Sequence, residues 1–248
     1  EVEPALHAIE HEGVPPYEVL RKLVAAFGIA DMARARFEMQ IAKQKAREAS
    51  GEPEKPRESR EGKPNPEAAL EVAMQMIPIM ELSRYSPGMV TALGVSMGLT
   101  ARAIMAKGTV RQKERWALPL LTLEKIGSWA ITEPGSGSDA FGAMKSTARR
   151  DGEGGYILNG SKTFITNGPY ADTIVFICKL DEGEGANAED TQSGAKNRKV
   201  LTFVLDRGTK GLVQSKPLRK LGLHGSPTGE LFLEDVRVGK EHLLGETE

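Results

Sequence analysis

The stretch Trp129–Phe141 reads Trp-Ala-Ile-Thr-Glu-Pro-Gly-Ser-Gly-Ser-Asp-Ala-Phe, and it separates two sequence patterns. Before it, apolar residues recur at helical spacing; after it, they alternate in short runs bounded by turn residues. The sequence therefore predicts an α+β fold, with an N-terminal α-helical domain at residues 1–127 and an antiparallel β-barrel or sandwich domain at residues 128–240.

The Gly-Ser-Gly-Ser turn within this stretch predicts a ligand contact. Gly135 and Gly137 permit positive φ, and the hydroxyls of Ser136 and Ser138 add donors that can rotate toward a phosphate or a carbonyl oxygen. An ordinary connecting turn is the alternative, because Gly, Ser and Asp are the usual turn residues. The spacing does not fit a dinucleotide-binding fingerprint, and no βαβ pattern surrounds it.

A second informative stretch, Tyr156–Gly168, reads Tyr-Ile-Leu-Asn-Gly-Ser-Lys-Thr-Phe-Ile-Thr-Asn-Gly. Asn159-Gly160 between two β-rich runs predicts a hairpin whose second strand carries Lys162–Thr166. With residues 108–127, the two stretches closely resemble the acyl-CoA dehydrogenases, in which a Thr-Glu-Pro-Gly-x-Gly-Ser-Asp loop and an aromatic-Ile-Thr-Asn strand contact the flavin. The resemblance extends from about Glu81 to Leu244, and it implies that residues 241–248 begin a C-terminal helical domain that this chain lacks.

The resemblance implies FAD as the cofactor. Isoalloxazine needs apolar walls on its faces and hydrogen-bonding groups at its edge. Phe164 stands where the family often has Trp, which keeps a stacking surface and loses an indole donor. Without the resemblance, Trp129 and Phe164 would be read as core aromatics and Thr132 and Thr166 as ordinary strand threonines. The implied cofactor-binding residues are Trp129, Ile131, Thr132, Gly137, Ser138, Phe164, Ile165 and Thr166.

The loop Leu221–Glu230 resembles the family's second substrate-side loop. The implied substrate-binding residues are Ser138, Ser226 and Thr228. His224, where the family often has Arg, and Pro227 depart from the pattern, which puts other contacts of that loop in question. An exposed loop histidine is the default interpretation of His224.

The implied reaction is α,β-dehydrogenation of an acyl-CoA thioester, as in fatty-acid β-oxidation, with reoxidation by an electron-transfer flavoprotein. The family's glutamate base belongs to the C-terminal domain, so no catalytic residue is assigned here; Glu133 is interpreted as a structural hydrogen-bond acceptor. A non-catalytic flavin- or acyl-CoA-binding module is one alternative, and an acyl-CoA oxidase or flavin monooxygenase on the same fold is another. The resemblance also implies a homotetramer or homodimer.

Composition excludes several classes of function. The 248 residues carry a net charge of −1, which argues against a nucleic-acid partner. The single cysteine, Cys178, excludes an internal disulfide and is predicted to be a small core residue, and the four histidines have no metal-ligand spacing. We expect no membrane span and no signal peptide, and the cytoplasm or the mitochondrial matrix as the location.

The helical part has further local signals. Residues 16–49 predict a helix pair, 68–82 a helix kinked at Pro78, and 89–106 a buried helix that is apolar all round. Thr109 is a candidate N-cap for the next helix. Residues 50–66 predict a mobile charged segment, and residues 181–199 an exposed loop.

Overall fold

The structure is a computed structural model that describes residues 2–51, 66–182 and 198–248. The predicted order, a helical region followed by a strand region, is confirmed. The predictions for the charged segment at 50–66 and the loop at 181–199 fall almost entirely outside the described residues.

The helical region follows the predicted pattern closely. After a 3-10 turn at Glu3–Ala5, its helices are α1 (Leu6–His11), α2 (Tyr17–Ala26), α3 (Ile29–Ser50), α4 (Pro66–Tyr85), α5 (Pro87–Leu93), α6 (Ala101–Lys107), α7 (Val110–Gln112) and α8 (Leu118–Leu121). The π-helical turn Gly94–Thr100 joins α5 to α6, and a second one, Lys113–Ala117, joins α7 to α8. Thr109 caps α7 in a capping box with Gln112, as predicted.

The helix from Pro87 to Lys107 is not buried all round, which corrects the prediction for this segment. By length and composition alone it could cross a membrane. One face, however, is fully buried against the rest of the protein at Met89, Ser96 and Ile104. The opposite face, which includes Gly94, Gly98 and Leu99, is exposed. A helix with one face packed into the interior is typical of a core helix in a globular domain.

In the part of the chain that the structure describes, seven strands form one sheet: β1 (Gly127–Ala130), β2 (Thr147–Arg150), β3 (Tyr156–Thr166), β4 (Thr173–Leu180), β5 (Val200–Asp206), β6 (Leu212–Gln214) and β7 (Thr228–Val238). The sheet is mixed rather than purely antiparallel, because β1 and β2 both run parallel to β4. β1 pairs with Thr173–Phe176 and β2 with Lys179 and Leu180, while β5 occupies the other edge of β4. Residues 131–146 are thus a loop inserted between two strands that share one edge.

The predicted hairpin at Asn159-Gly160 is wrong. Strand β3 continues through these residues and pairs along its length with β7. A register shift between Leu158 and Gly160 marks a β-bulge there. Asn159 exchanges two hydrogen bonds with Asp235 of β7, of 2.9 and 3.1 Å, and an alanine Cβ at Gly160 would lie 2.2 Å from Ser146 Oγ. The Asn-Gly pair therefore serves cross-strand contact and close packing.

The described residues form three buried clusters, and the third joins the helical region to the sheet. One fills the sheet around Phe176 and Phe203, and another lies among the first helices. The third packs Trp116 and residues of α3 and α6 against Val175 and Val204 of the sheet. Cys178 is fully buried in the sheet cluster, as predicted, and burial raises the pKa of its thiol to about 12. It is therefore a protonated core residue.

Candidate functional site

The inserted loop 131–146 begins with a closed turn. Glu133 and Ser136 exchange two backbone hydrogen bonds of 2.9 and 3.0 Å, and the Ser136 hydroxyl donates to the Asp139 carbonyl at 2.8 Å. Gly137, Ser138 and Asp139 lie on the exposed side of this turn. The Ser136 hydroxyl is thus occupied by the turn itself, whereas Ser138 faces solvent.

A buried ion pair fixes the start of the loop to the middle of β3. Lys162 Nζ lies 2.9 Å from Glu133 Oε1 and donates to the Ile131 carbonyl at 3.0 Å, with both charged side chains almost fully buried. The Glu133 carboxylate also accepts hydrogen bonds from the backbone N–H groups of Lys145 and Ser146, at 2.7 and 2.9 Å. Glu133 is a structural acceptor, as predicted, and its oxygens are unavailable to act as a base.

The electrostatics of this pair follow from burial and hydrogen bonding. Burial disfavours the ionised carboxylate, but the hydrogen bonds from the Ser146 side chain, from Lys162 and from the N–H groups of Lys145 and Ser146 outweigh it, so the pKa of Glu133 is lowered. Burial lowers the pKa of Lys162, and the attraction of Glu133 opposes that change. A buried pair of this kind is intolerant of losing one partner.

Thr132 joins the two sequence stretches directly. Its hydroxyl donates to the Thr163 carbonyl at 2.5 Å, and the Thr163 N–H donates to the Thr132 carbonyl at 3.0 Å. The loop start, with Ile131 and Thr132, therefore lies alongside Lys162 and Thr163 of β3. The Thr132 hydroxyl hydrogen is used in this contact. The hydroxyl oxygen can still accept a hydrogen bond from a ligand through its lone pairs.

Phe164 is the least regular residue of the site. Its φ is +56°, in the left-handed region that costs a non-glycine residue about 1–2 kcal/mol, and its side chain is 71% exposed. The pairing of β3 with β7 shifts register between Lys162 and Ile165, around this residue. A strained backbone that presents an apolar ring to solvent is typical of a ligand-contact position.

The neighbouring residues differ in orientation. The side chain of Ile165 is buried in the sheet cluster, so its backbone is the part it can offer a ligand. Thr166 is half-buried and pairs across the sheet with Thr228, which brings a predicted cofactor residue beside a predicted substrate residue. Trp129 is half-buried and packs against the cluster between the helices and the sheet. In the described residues, no hydrogen bond links Gly137 or Ser138 to this group.

The predicted substrate loop is held from within by Lys220. Its ammonium donates to the carbonyls of Leu223 and Ser226, at 2.9 and 2.5 Å, and to Thr228 Oγ1 at 3.1 Å. The Thr228 hydroxyl in turn donates to the Ser226 carbonyl at 2.9 Å. Ser226 and Thr228 are both buried, so the loop is ordered before any ligand arrives.

The same loop is fixed to the helical region through Glu10 of α1. The Glu10 carboxylate accepts hydrogen bonds from Ser86 and from the N–H groups of His224 and Gly225. Both ring nitrogens of His224 contact carbonyl oxygens, those of Glu10 and Lys220, at 2.6 and 2.8 Å. His224 is exposed, as predicted, but it also connects the loop to α1.

Asn167 is a structural residue that the sequence analysis did not assign. Its side chain is fully buried, donates to the carbonyls of Ala92 and Gly127 at 2.9 Å each, and accepts from the Tyr17 hydroxyl at 3.0 Å. Its backbone N–H donates to the Pro227 carbonyl at 2.7 Å. Asn167 thus joins two helices, β1 and the substrate loop at the end of β3; the signal was the polar Asn-Gly pair that ends an apolar strand.

Metal chemistry has no support in the part of the chain that the structure describes, which contains no group of three or more His, Cys, Asp or Glu side chains able to hold an ion. What the site offers is an exposed aromatic ring, a half-buried threonine on the inserted loop and another on β3, and a glycine- and serine-rich turn. These groups fit a flat, amphipathic ring with polar edges.

Comparisons with known proteins match both regions of the chain. Residues 67–124 match the acyl-CoA dehydrogenase N-terminal domain, and residues 128–236 match the acyl-CoA dehydrogenase middle domain. The chain is 36% identical over 176 residues to the short-chain-specific acyl-CoA dehydrogenase of Megasphaera elsdenii, covering 71% of this chain and 43% of that protein. It spans about two fifths of the length of the curated relatives that it matches.

Solved structures extend the similarity to the whole described fold. The structure of butyryl-CoA dehydrogenase from Megasphaera elsdenii has a TM-score of 0.69 at 29% identity, covering 98% of this chain and 54% of that one. A glutaryl-CoA dehydrogenase from Mycobacterium smegmatis in complex with FADH2 has a TM-score of 0.58 at 31% identity, covering 68% of this chain and 39% of that one.

Proposed function

The chain belongs to the acyl-CoA dehydrogenase family, and we propose that it forms the flavin- and acyl-CoA-binding part of a dehydrogenase that introduces an α,β double bond into an acyl-CoA thioester. The observation that carries the proposal is the joining of Thr132 to Thr163 beside the exposed, strained Phe164. These residues provide polar edges and an open aromatic face at one place on the surface.

The residues of this chain would bind and orient the two ligands. Phe164 would stack on one face of an FAD ring system, while Thr132 and Thr166 would offer hydroxyl oxygens at its edge. FAD supplies a hydride acceptor when it is bound. Ser138, Ser226 and Thr228 would contact the acyl-CoA, on a loop that Lys220 and Glu10 hold in place before the substrate arrives. Preorganisation of this kind lowers the entropic cost of binding.

We place the base that removes the α-proton outside these 248 residues. Glu133, the carboxylate of the conspicuous Thr-Glu-Pro-Gly turn, is held by Lys162 and two backbone N–H groups. A base must accept a proton, and protonation of Glu133 would remove the charge that pairs with the buried Lys162. We propose an electron-transfer flavoprotein as the electron acceptor. We also propose that the protein acts as an assembly of several copies.

Visible absorbance of the purified protein tests the proposal, combined with anaerobic titration by acyl-CoAs of different chain length. We expect bound flavin whose absorbance near 450 nm bleaches with one class of acyl-CoA once the base is present. Bound flavin that does not bleach even when the part carrying the base is present would favour the non-catalytic binding module. Bleaching followed by rapid peroxide formation in air would favour an oxidase, and a protein that binds no flavin would contradict the assignment of the cofactor site.

A further inference from the structure

The ring of His224 lies between two hydrogen-bond acceptors. Its Nδ1 is 2.6 Å from the Glu10 carbonyl oxygen of α1, and its Nε2 is 2.8 Å from the Lys220 carbonyl oxygen of its own loop. A carbonyl oxygen accepts hydrogen bonds and does not donate them, so each ring nitrogen must carry a hydrogen to make its contact. A neutral imidazole carries one N–H and one lone pair. The observed arrangement therefore requires the doubly protonated, positively charged ring.

The Glu10 carboxylate complements that charge from helix α1. Its Oε2 accepts from the His224 N–H at 3.1 Å, and its Oε1 accepts from the Gly225 N–H at 3.3 Å and from the Ser86 hydroxyl at 2.6 Å. The Lys220 ammonium is the charged group within the loop, and it is directed at the loop's own carbonyls. Ser86, which precedes α5, is uncharged. The carboxylate of Glu10 and the ring of His224 therefore form one charged connection between α1 and the loop.

The loop meets the helices at backbone contact on this side. A Cβ added at Gly225 would lie 2.7 Å from Ser86 Oγ and 2.8 Å from Glu10 Oε1, and one added at Gly88 of α5 would lie 2.8 Å from the Ser226 nitrogen. Ser226 follows Gly225 directly and is itself buried. Because no space remains between loop and helices, the connection through His224 fixes where Ser226 lies.

We propose that His224 is a positioning residue, whose protonated ring holds the substrate loop (residues 221–230) on α1 and releases it as the pH rises. When the ring loses a proton, a nitrogen lone pair faces a carbonyl oxygen at 2.6 or 2.8 Å. These two acceptors repel, so the ring turns and one hydrogen bond is lost. Histidine is the side chain that ordinarily changes charge between pH 5 and 8. The connection rests on the contacts of His224 alone, whereas its effect on acyl-CoA binding rests on the proposed function.

Hydrogen exchange of the purified chain between pH 5.5 and 8.5 tests the connection. The amides of residues 224 and 225 both donate to Glu10, so their protection factors report it directly. We expect wild-type protection to fall about tenfold over this range, as one charge-assisted hydrogen bond is lost. H224R keeps a permanent charge and several donors, so its protection should not change with pH. H224Q donates from one nitrogen only and should be weakly protected throughout.

His11 provides the matched control, because it is an exposed histidine of α1 next to Glu10. Its ring lies 5.1 Å from that of His7, which in turn contacts Glu12 at 3.0 Å. H11Q should follow the wild-type profile. A flat wild-type profile, or the same profile in the wild type and H224R, would overturn the proposal. Loss of the pH dependence in H11Q would overturn it as well, because the titrating group would then be His11.

Calorimetric titration with butyryl-CoA and palmitoyl-CoA at pH 6 and pH 8 tests the effect on binding. Between these pH values we expect the wild type to lose about tenfold more affinity than H224R. Titration of the ligand's own phosphate affects both proteins equally and cancels in this comparison. If neither protein binds either ligand while their exchange profiles differ as expected, the connection stands and the proposed function fails. If both bind with the same pH dependence and the exchange profiles coincide, the proposed function stands and the role of His224 fails.

Discussion

Strand β3 leaves regular pairing twice, and the two irregularities differ in kind. At Gly160, with φ of +149°, the residue that bends the strand is a glycine packed against Ser146. At Phe164, with φ of +56°, it is an aromatic residue whose ring lies mostly in solvent. The first irregularity satisfies packing at little cost in backbone strain. At Phe164 the backbone is strained and the side chain is not buried. This combination is expected where a residue is selected for contact with a ligand rather than for packing.

Between the two bulges lies Lys162, whose burial anchors the inserted loop to the strand. Within five residues of one strand, Lys162 thus anchors the loop, Gly160 allows close packing, and Phe164 is the position for ligand contact. Substitutions at each of them test whether this separation is correct.

Loss of the anchor should have the largest effect. K162M leaves Glu133 as a buried charge without its partner, and we expect it to lower the free energy of unfolding by about 3–5 kcal/mol, measured by urea denaturation. The double variant K162M/E133Q removes both charges and should recover part of this loss. A single variant as stable as the wild type would show that the pair does not anchor the loop.

Acid should weaken the same anchor in a defined direction. The pKa of Glu133 is lowered in the folded protein, so its stabilising contribution is present above the ordinary glutamate pKa of about 4.3 and is lost as pH falls through the lowered value. Lys162 stays protonated in both states in this range and adds no slope. Denaturation curves between pH 2.5 and 6 should therefore show a steeper loss for the wild type than for E133Q. If the stability of the wild type and of E133Q fell in parallel with pH, ionised Glu133 would not be the source of the acid sensitivity.

Crowding at the first bulge should cost less than loss of the anchor. In G160A the new Cβ would meet Ser146 Oγ at 2.2 Å and Ser146 Cα at 2.8 Å, and we expect a loss of about 1–3 kcal/mol. Gly154 provides the control, because its φ is +94° and no atom lies near its Cβ position. In G154A the loss of stability comes from backbone strain alone. Equal losses in G160A and G154A would mean that packing against Ser146 is unimportant.

The same strand shows what the sequence could and could not predict. The period-two alternation around Tyr156 and Ile165 predicted a strand correctly. Asn159-Gly160 was read as a hairpin because the local turn preference is strong, yet tertiary contacts to Asp235 and Ser146 determine its role. Local propensity contains no information about partners 76 positions away.

The site shows the same division. The motifs around Thr132 and Phe164 were recognisable as a pair, but the hydrogen bond that joins them is a long-range contact that a single sequence does not specify. The burial of Ile165 and the four-way role of Asn167 likewise follow from a bulge that shifts the register. The helical exposure at Gly94 and Gly98 was missed because apolar composition does not identify the face that is covered.

The second bulge should give the smallest change in stability and a clear change in binding. F164N places a residue that tolerates the left-handed region at φ of +56°, so we expect the unfolding free energy to rise by up to about 1 kcal/mol while flavin affinity falls, measured by denaturation and by 450 nm absorbance. Phe232 provides the matched control, because it is exposed on the regular part of the neighbouring β7. F232N should instead lose up to about 1 kcal/mol and keep its flavin. If both variants lost stability and both kept flavin, Phe164 would be an ordinary strand residue. The difference between the two bulges would then have no relation to flavin binding.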